Sequence, residues 1–94
     1  MASTDNRVYS LTYGIAYQRA AGEVFVVTAD NRLHDIRDNV GIFLFLLLEQ
    51  NALSLDNLVE RCMEQFEVEP AVAKIQIQSF LDEGVEKGLF RVFP

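Results

Sequence analysis

An α+β fold is predicted, a three-stranded antiparallel meander followed by a three-helix bundle, and three observations predict it. Between Tyr9 and Ile36 run short β-branched and aromatic stretches broken by two turn signals, Ala20-Ala21-Gly22 and Asp30-Asn31. From Asp38 onward the apolar residues take helical spacing, with a helix-start signal ahead of each segment. The 94 residues are 50% apolar and 23% charged, an ordinary globular balance that suits one small core.

The elements follow in order. Residues 1–8 read as a frayed, polar N-terminus, and residues 9–94 as a single domain. The strands are expected at Tyr13–Arg19, Glu23–Thr28 and Arg32–Ile36. Asp30-Asn31 serves as a turn because both side chains bond local backbone and tolerate left-handed geometry. The first helix spans Asn39–Glu49, capped by Asp38. Its body from Val40 to Leu48 is apolar on every side except at Gly41, so it must be covered on more than one face. The second spans Leu55–Phe66 behind the N-cap Ser54, with Leu55, Leu58, Val59, Cys62 and Phe66 on one face. The third spans Pro70–Lys87, opening on a proline suited to the first turn and closing at Gly88. Ala73, Ile77, Phe80, Leu81 and Val85 form its main apolar face, while Val72 and Ile75 fall outside it with Ser79 beside them. Leu89–Phe93 folds back as an extended tail. The expected core is Phe43, Leu47, Leu58, Val59, Cys62, Phe66, Ile77, Phe80 and Leu81.

Composition disfavours several functions. Net charge is −6, with two lysines and six arginines, so the sequence shows no basic face to collect phosphates, and its acidity opposes an anionic membrane. The longest apolar block is far short of the roughly 20 residues a spanning helix needs. No apolar run follows Arg7, so no secretory signal is read. Cys62 is the only cysteine; no internal disulfide can form, and a cytoplasmic location is expected.

No catalytic constellation is visible. His34 is the sole histidine and has no spaced cysteine, aspartate or glutamate set with which to hold a metal. Cys62 sits on the apolar face of its helix and reads as a small core hydrophobe. Asp82-Glu83 and Glu67/Glu69 read as helix-surface and helix-start carboxylates. The five glycines are scattered and form no phosphate loop. The chain is expected to be no enzyme and to need no cofactor and no metal.

Against this background a set of short motifs stands out: His34-Asp35-Ile36-Arg37, Asn39-Val40-Gly41-Ile42, Ser54-Leu55-Asp56-Asn57-Leu58, Phe66-Glu67-Val68-Glu69-Pro70, Gln76-Ile77, Phe80-Leu81 and Gly88-Leu89-Phe90. Over Gly14 to Phe90 these resemble the PqqD-like family, the peptide-recognition modules of ribosomally made, post-translationally modified peptides. The chain departs from the family pattern at Arg37, where an asparagine is usual, at Gln76, where an aspartate is, and at Gly84, where a leucine is. The resemblance implies a winged helix-turn-helix-like layout and a non-enzymatic peptide chaperone. Such a chaperone captures the leader of a precursor peptide and presents it to a separate modifying enzyme, such as a radical-SAM maturase.

In that family the leader adds as a strand to the open edge of the third strand, under the third helix. Carried over, the peptide-binding residues are Arg32, Leu33, His34, Asp35 and Ile36 on the edge and Val72, Ile75, Gln76 and Ser79 on the helix. Arg37 and Lys74 join Arg32 as cations for leader carboxylates. An exposed edge offers unpaired N–H and C=O groups that an added strand satisfies. Two other readings stay open. One is a winged-helix DNA-binding regulator using the third helix, which the acidic composition opposes. The other is a structural adaptor or homodimer joined through the apolar first helix.

Overall fold

The computed structural model describes residues 7–94. Its elements are β1 (Val8–Leu11), β2 (Ala16–Ala20), β3 (Glu23–Val27), β4 (Leu33–Ile36), α1 (Asn39–Gln50), β5 (Leu53–Ser54), α2 (Leu55–Gln65), α3 (Pro70–Glu86) and β6 (Phe90–Phe93). The fold is α+β, with the expected meander β2-β3-β4 and all three helices near their expected bounds.

A second antiparallel sheet was not expected. Its order is β5-β1-β6, so β1 pairs with Leu53-Ser54 on one side and with the Phe90–Phe93 tail on the other. The expectation of a frayed segment through residue 8 is thereby corrected. Residues 1–6 lie outside the described residues, but Val8 is held between Ser54 and Phe93. The first meander strand also starts later than expected, at Ala16, because Tyr13-Gly14 forms a turn with Gly14 at φ 80°.

Local chemistry explains the elements. Ala21 and Gly22 both take positive φ, as a hairpin turn that matches strand twist requires. Asp38 caps α1 by accepting from the Gly41 amide at 2.7 Å, and Ser54 caps α2 by accepting from Asn57 at 3.1 Å. Gly88, at φ 81°, ends α3: its N–H reaches the Val85 carbonyl, and the Leu89 N–H reaches that of Gly84. This left-handed cap is open to glycine at little steric cost.

The core joins both sheets to the helices through Tyr9, Val24, Val26, Phe45, Leu58, Ile77 and Leu81, with Leu44, Leu48, Cys62, Leu89 and Phe90. The α1 helix is central, as its all-round apolar surface demanded. Phe45 packs edge-on against Tyr17 of β2, and Phe43 against Phe66 at the end of α2. Of the expected core, Leu58, Cys62, Ile77 and Leu81 are buried. Phe43, Leu47, Val59, Phe66 and Phe80 are half-buried and pack against its margin: Phe66 is the extended residue that caps the end of α2, and the other four stand on the flanks of their helices rather than at the centre of the buried face.

Candidate functional site

Among the described residues, β4 of the β2-β3-β4 sheet is hydrogen-bonded to β3 alone, so its other side is an open edge there. The register pairs Val24 with Ile36 and Val26 with His34, and the next pair is closed by the Thr28 N–H donating to the Arg32 carbonyl. Antiparallel ladders alternate. His34 and Ile36 therefore turn their backbone groups toward β3, while Leu33, Asp35 and Arg37 turn theirs to the open edge. Side chains alternate too. His34 and Ile36 share the core-side face with Val24 and Val26, whereas Leu33, Asp35 and Arg37 lie on the outer face with Glu23, Phe25 and Val27.

Beside this edge runs a furrow. A cavity of about 260 Å³ opens between the His34–Asp38 segment and the α3 residues Phe80, Glu83, Gly84 and Lys87, with Leu89 and Phe90 also lining it. A second cavity of about 240 Å³ shares Asp38 and Phe80 with the first and continues to Gln76. Gln76, Phe80, Glu83 and Lys87 recur at helical spacing and make one stripe of α3. Phe80 is the wall's largest apolar group, its ring 5.4 Å from that of Phe90.

The charges around the edge are largely paired within the chain. Arg37 Nε donates to Asp35 Oδ2 at 2.8 Å and lies 3.2 Å from Glu23 Oε1. The hydrogen bond from Arg37 holds the Asp35 carboxyl below its ordinary value, and the same bond raises the guanidinium. Arg32 pairs with Asp30 at 3.2 Å, and Asp30 is itself lowered, mainly by the hydroxyl of Thr28. Lys87 has no ion-pair partner among the described residues, which makes it the furrow's free cation. His34 Nε2 is buried without a hydrogen-bond partner among those residues.

The residues singled out from sequence divide into two groups. His34, Asp35, Ile36 and Arg37 line the first cavity of the furrow, while Gln76 lines the second, facing Asp38 and the start of α1 rather than β4. Arg32 precedes the edge and Leu33 begins it, 67% exposed. Val72, 43% exposed, stands one turn before Gln76. Lys74, Ile75 and Ser79 lie elsewhere: with Leu55 they line a separate depression on another flank of α3. Sequence reasoning missed Phe80, Glu83 and Lys87 as furrow residues, although their spacing from Gln76 marks a helical stripe.

Among the described residues no group of three or more histidines, cysteines, aspartates or glutamates could hold a metal ion. Cys62 is buried, and burial raises its thiol, which opposes nucleophilic use. No helix among these residues is long and apolar enough to cross a membrane.

Comparison with known proteins bears on the fold and the family. The solved structure of TbiB1 in complex with the TbiA(beta) leader peptide superimposes with a TM-score of 0.78 at 17% identity, covering 87% of this chain and 94% of that one. No curated protein matches the chain. The family described as coenzyme PQQ synthesis protein D (PqqD) matches residues 38–89, from the α1 cap through the Leu89 that follows the α3 terminator. That match takes in all three helices and more than half of the sequence, and the chain belongs to the PqqD family.

Proposed function

We propose that this protein binds the leader segment of a ribosomally made precursor peptide and presents it to a separate modifying enzyme, performing no chemistry itself. The observation that carries the reading is the open β4 edge lying beside the Phe80-walled furrow. The leader adds as a strand to β4 and bonds the outward N–H and C=O groups of Leu33 and Asp35. Its alternate side chains enter the furrow, against Ile36, Phe80 and Phe90, while the others lie on the outer face beside Leu33. The TbiB1 complex supports this reading, since that similar fold holds a leader peptide.

Magnitudes set the expected affinity. About four backbone bonds contribute roughly 0.5–1.5 kcal/mol each, and apolar burial adds about 25 cal/mol per Å². Ordering a flexible peptide opposes both, so micromolar-range binding is expected. Arg32 and Arg37 are engaged with carboxylates of this chain, which leaves Lys87 as the better partner for a leader carboxylate. Charge gives a DNA-binding role no support, because residues 38–94 hold ten carboxylates against four lysines and arginines.

The test is amide-shift mapping with synthetic leaders taken from short peptide genes beside this one. Shifts should concentrate at residues 33–37 and at Gln76, Phe80, Glu83 and Lys87. A bound leader that moves α2 and β6 and leaves those positions unmoved removes the edge-strand mechanism.

A further inference from the structure

The depression on the other flank of α3 shares only Glu83 with the furrow. It is a shallow, open depression of about 530 Å³, lined by Leu55, Lys74, Ile75, Gln78 and Ser79, with Asp82, Glu83 and Glu86 also on its wall. Ile75 is 72% exposed, more than any other large aliphatic side chain among the described residues. A single exposed aliphatic side chain is ordinary on a protein surface; Ile75 differs in standing over a depression that Leu55 also lines, where a partner's apolar group would cover both. The surrounding charge says what kind. Three carboxylates face one ammonium, and no ion pair within the described residues neutralises Asp82, Glu83 or Glu86. Asp82 accepts only a neutral hydrogen bond, from Gln78 at 2.8 Å.

The wider charge distribution agrees. Residues 1–37 carry four acidic and four basic side chains, so the whole net charge of −6 belongs to residues 38–94, the helical part. A second copy of this chain would bring like charge to the same face, which disfavours self-association there. A basic surface gains by both steering and apolar burial.

We propose that this depression docks a basic protein surface that inserts an apolar side chain over Ile75, and that the surface belongs to the enzyme that modifies the bound peptide. The proposal rests on the leader-presenting role for the enzyme's identity, while the site's preference for a basic, apolar-anchored partner stands on its own charges. Leader and enzyme then occupy different flanks of α3, and the peptide can be handed over without leaving the furrow.

The test uses the whole protein and a fluorescein-labelled amphipathic helix of roughly 18 leucines and lysines, followed by anisotropy. Ile75→Ser and the double variant Asp82→Lys/Glu86→Lys should each weaken binding tenfold or more. Glu60→Lys/Glu64→Lys makes the same charge change on the exposed part of α2 and should shift it less than threefold. Unlabelled leader peptide should not displace the probe, and Ile75→Ser should bind leader as the unaltered protein does. Equal losses in the two double variants would mean a diffuse acidic field and overturn the proposal. Displacement of the probe by leader would overturn it by assigning the depression to the peptide site. A dimer in sedimentation that Ile75→Ser abolishes would overturn it in favour of a second copy. Failure of every leader to bind would remove the furrow reading and leave the probe results standing.

Discussion

The ring of Phe90 fills the space that a side chain on Gly84 would occupy. A Cβ built at residue 84 overlaps Cδ2 and Cε2 of that ring, and the ring cannot retreat easily because Phe80 and Phe45 flank it with centroids 5.4 and 6.4 Å away. This contact seats β6 against α3 and forms part of the furrow. It also gives a physical reason why glycine stands where the family usually has a leucine.

Gly84→Ala should therefore destabilise the protein despite the better helix former. The gain from replacing a helical glycine is about 0.5–1 kcal/mol, while overpacking costs about 1–3 kcal/mol. A net loss of about 1–2 kcal/mol is expected from the urea midpoint at unchanged slope. Greater stability in the variant would mean that Phe90 moves freely.

Phe80→Ala tests the residue that serves core and furrow together. A fully buried phenylalanine costs about 3–5 kcal/mol on truncation; Phe80 is half-buried, so a loss of about 2–3 kcal/mol is expected. Leader affinity, measured where the variant remains folded, should fall at least tenfold. A stability loss with unchanged affinity would place the leader away from α3.

Legibility of the chain followed the range of the interactions. The helices could be read because Asp38, Ser54 and Pro70 act on their own first turns, and the meander because its turns are local. The second sheet could not. Val8 and Phe93 meet across nearly the whole sequence, and β5 is only Leu53-Ser54, whose second residue is also a cap. The same limit acted on the site. A helical wheel placed Val72 and Ile75 outside the main apolar face, and both are exposed. It could not say which flank of α3 meets β4, since that depends on how the helix is rotated over α2 and β6. The edge strand itself was readable from its turn, but the pairing of Arg37 with Asp35 and Glu23 required the cross-strand register.

That ion pair gives a pH dependence with a definite sign. Asp35 has its folded value lowered below 3.8 by Arg37, so its contribution is present above that ordinary value and is lost as pH falls through the lowered one. Arg37→Gln should lower the melting temperature slightly at neutral pH and low salt. The difference should shrink as pH falls below that ordinary value and the Asp35 carboxylate is protonated, and shrink in roughly 1 M salt because the pair is exposed. A difference that persists in acid would mean that Arg37 acts through packing instead.

The alternation along β4 separates the edge from the ladder. Asp35 points its N–H away from β3, so a proline there removes a donor that only an added strand would use. Proline is tolerated at such a position because no ladder bond is lost, and the preceding His34 already lies in a strand. Asp35→Pro should leave the meander folded, with a circular dichroism spectrum and β3 amide shifts close to the parent, and should weaken leader binding by about tenfold or more, near one charge-neutral hydrogen bond plus misfit. Asp35→Ala keeps the N–H and loses the same carboxylate, so it controls for the broken contact to Arg37 and should retain most of the affinity. His34→Pro, by contrast, deletes a bond to β3 and should disrupt the sheet itself. If Asp35→Pro and Asp35→Ala bind leader equally well, the outward N–H of Asp35 takes no part in recognition, and the leader does not run as a strand bonded along the centre of β4.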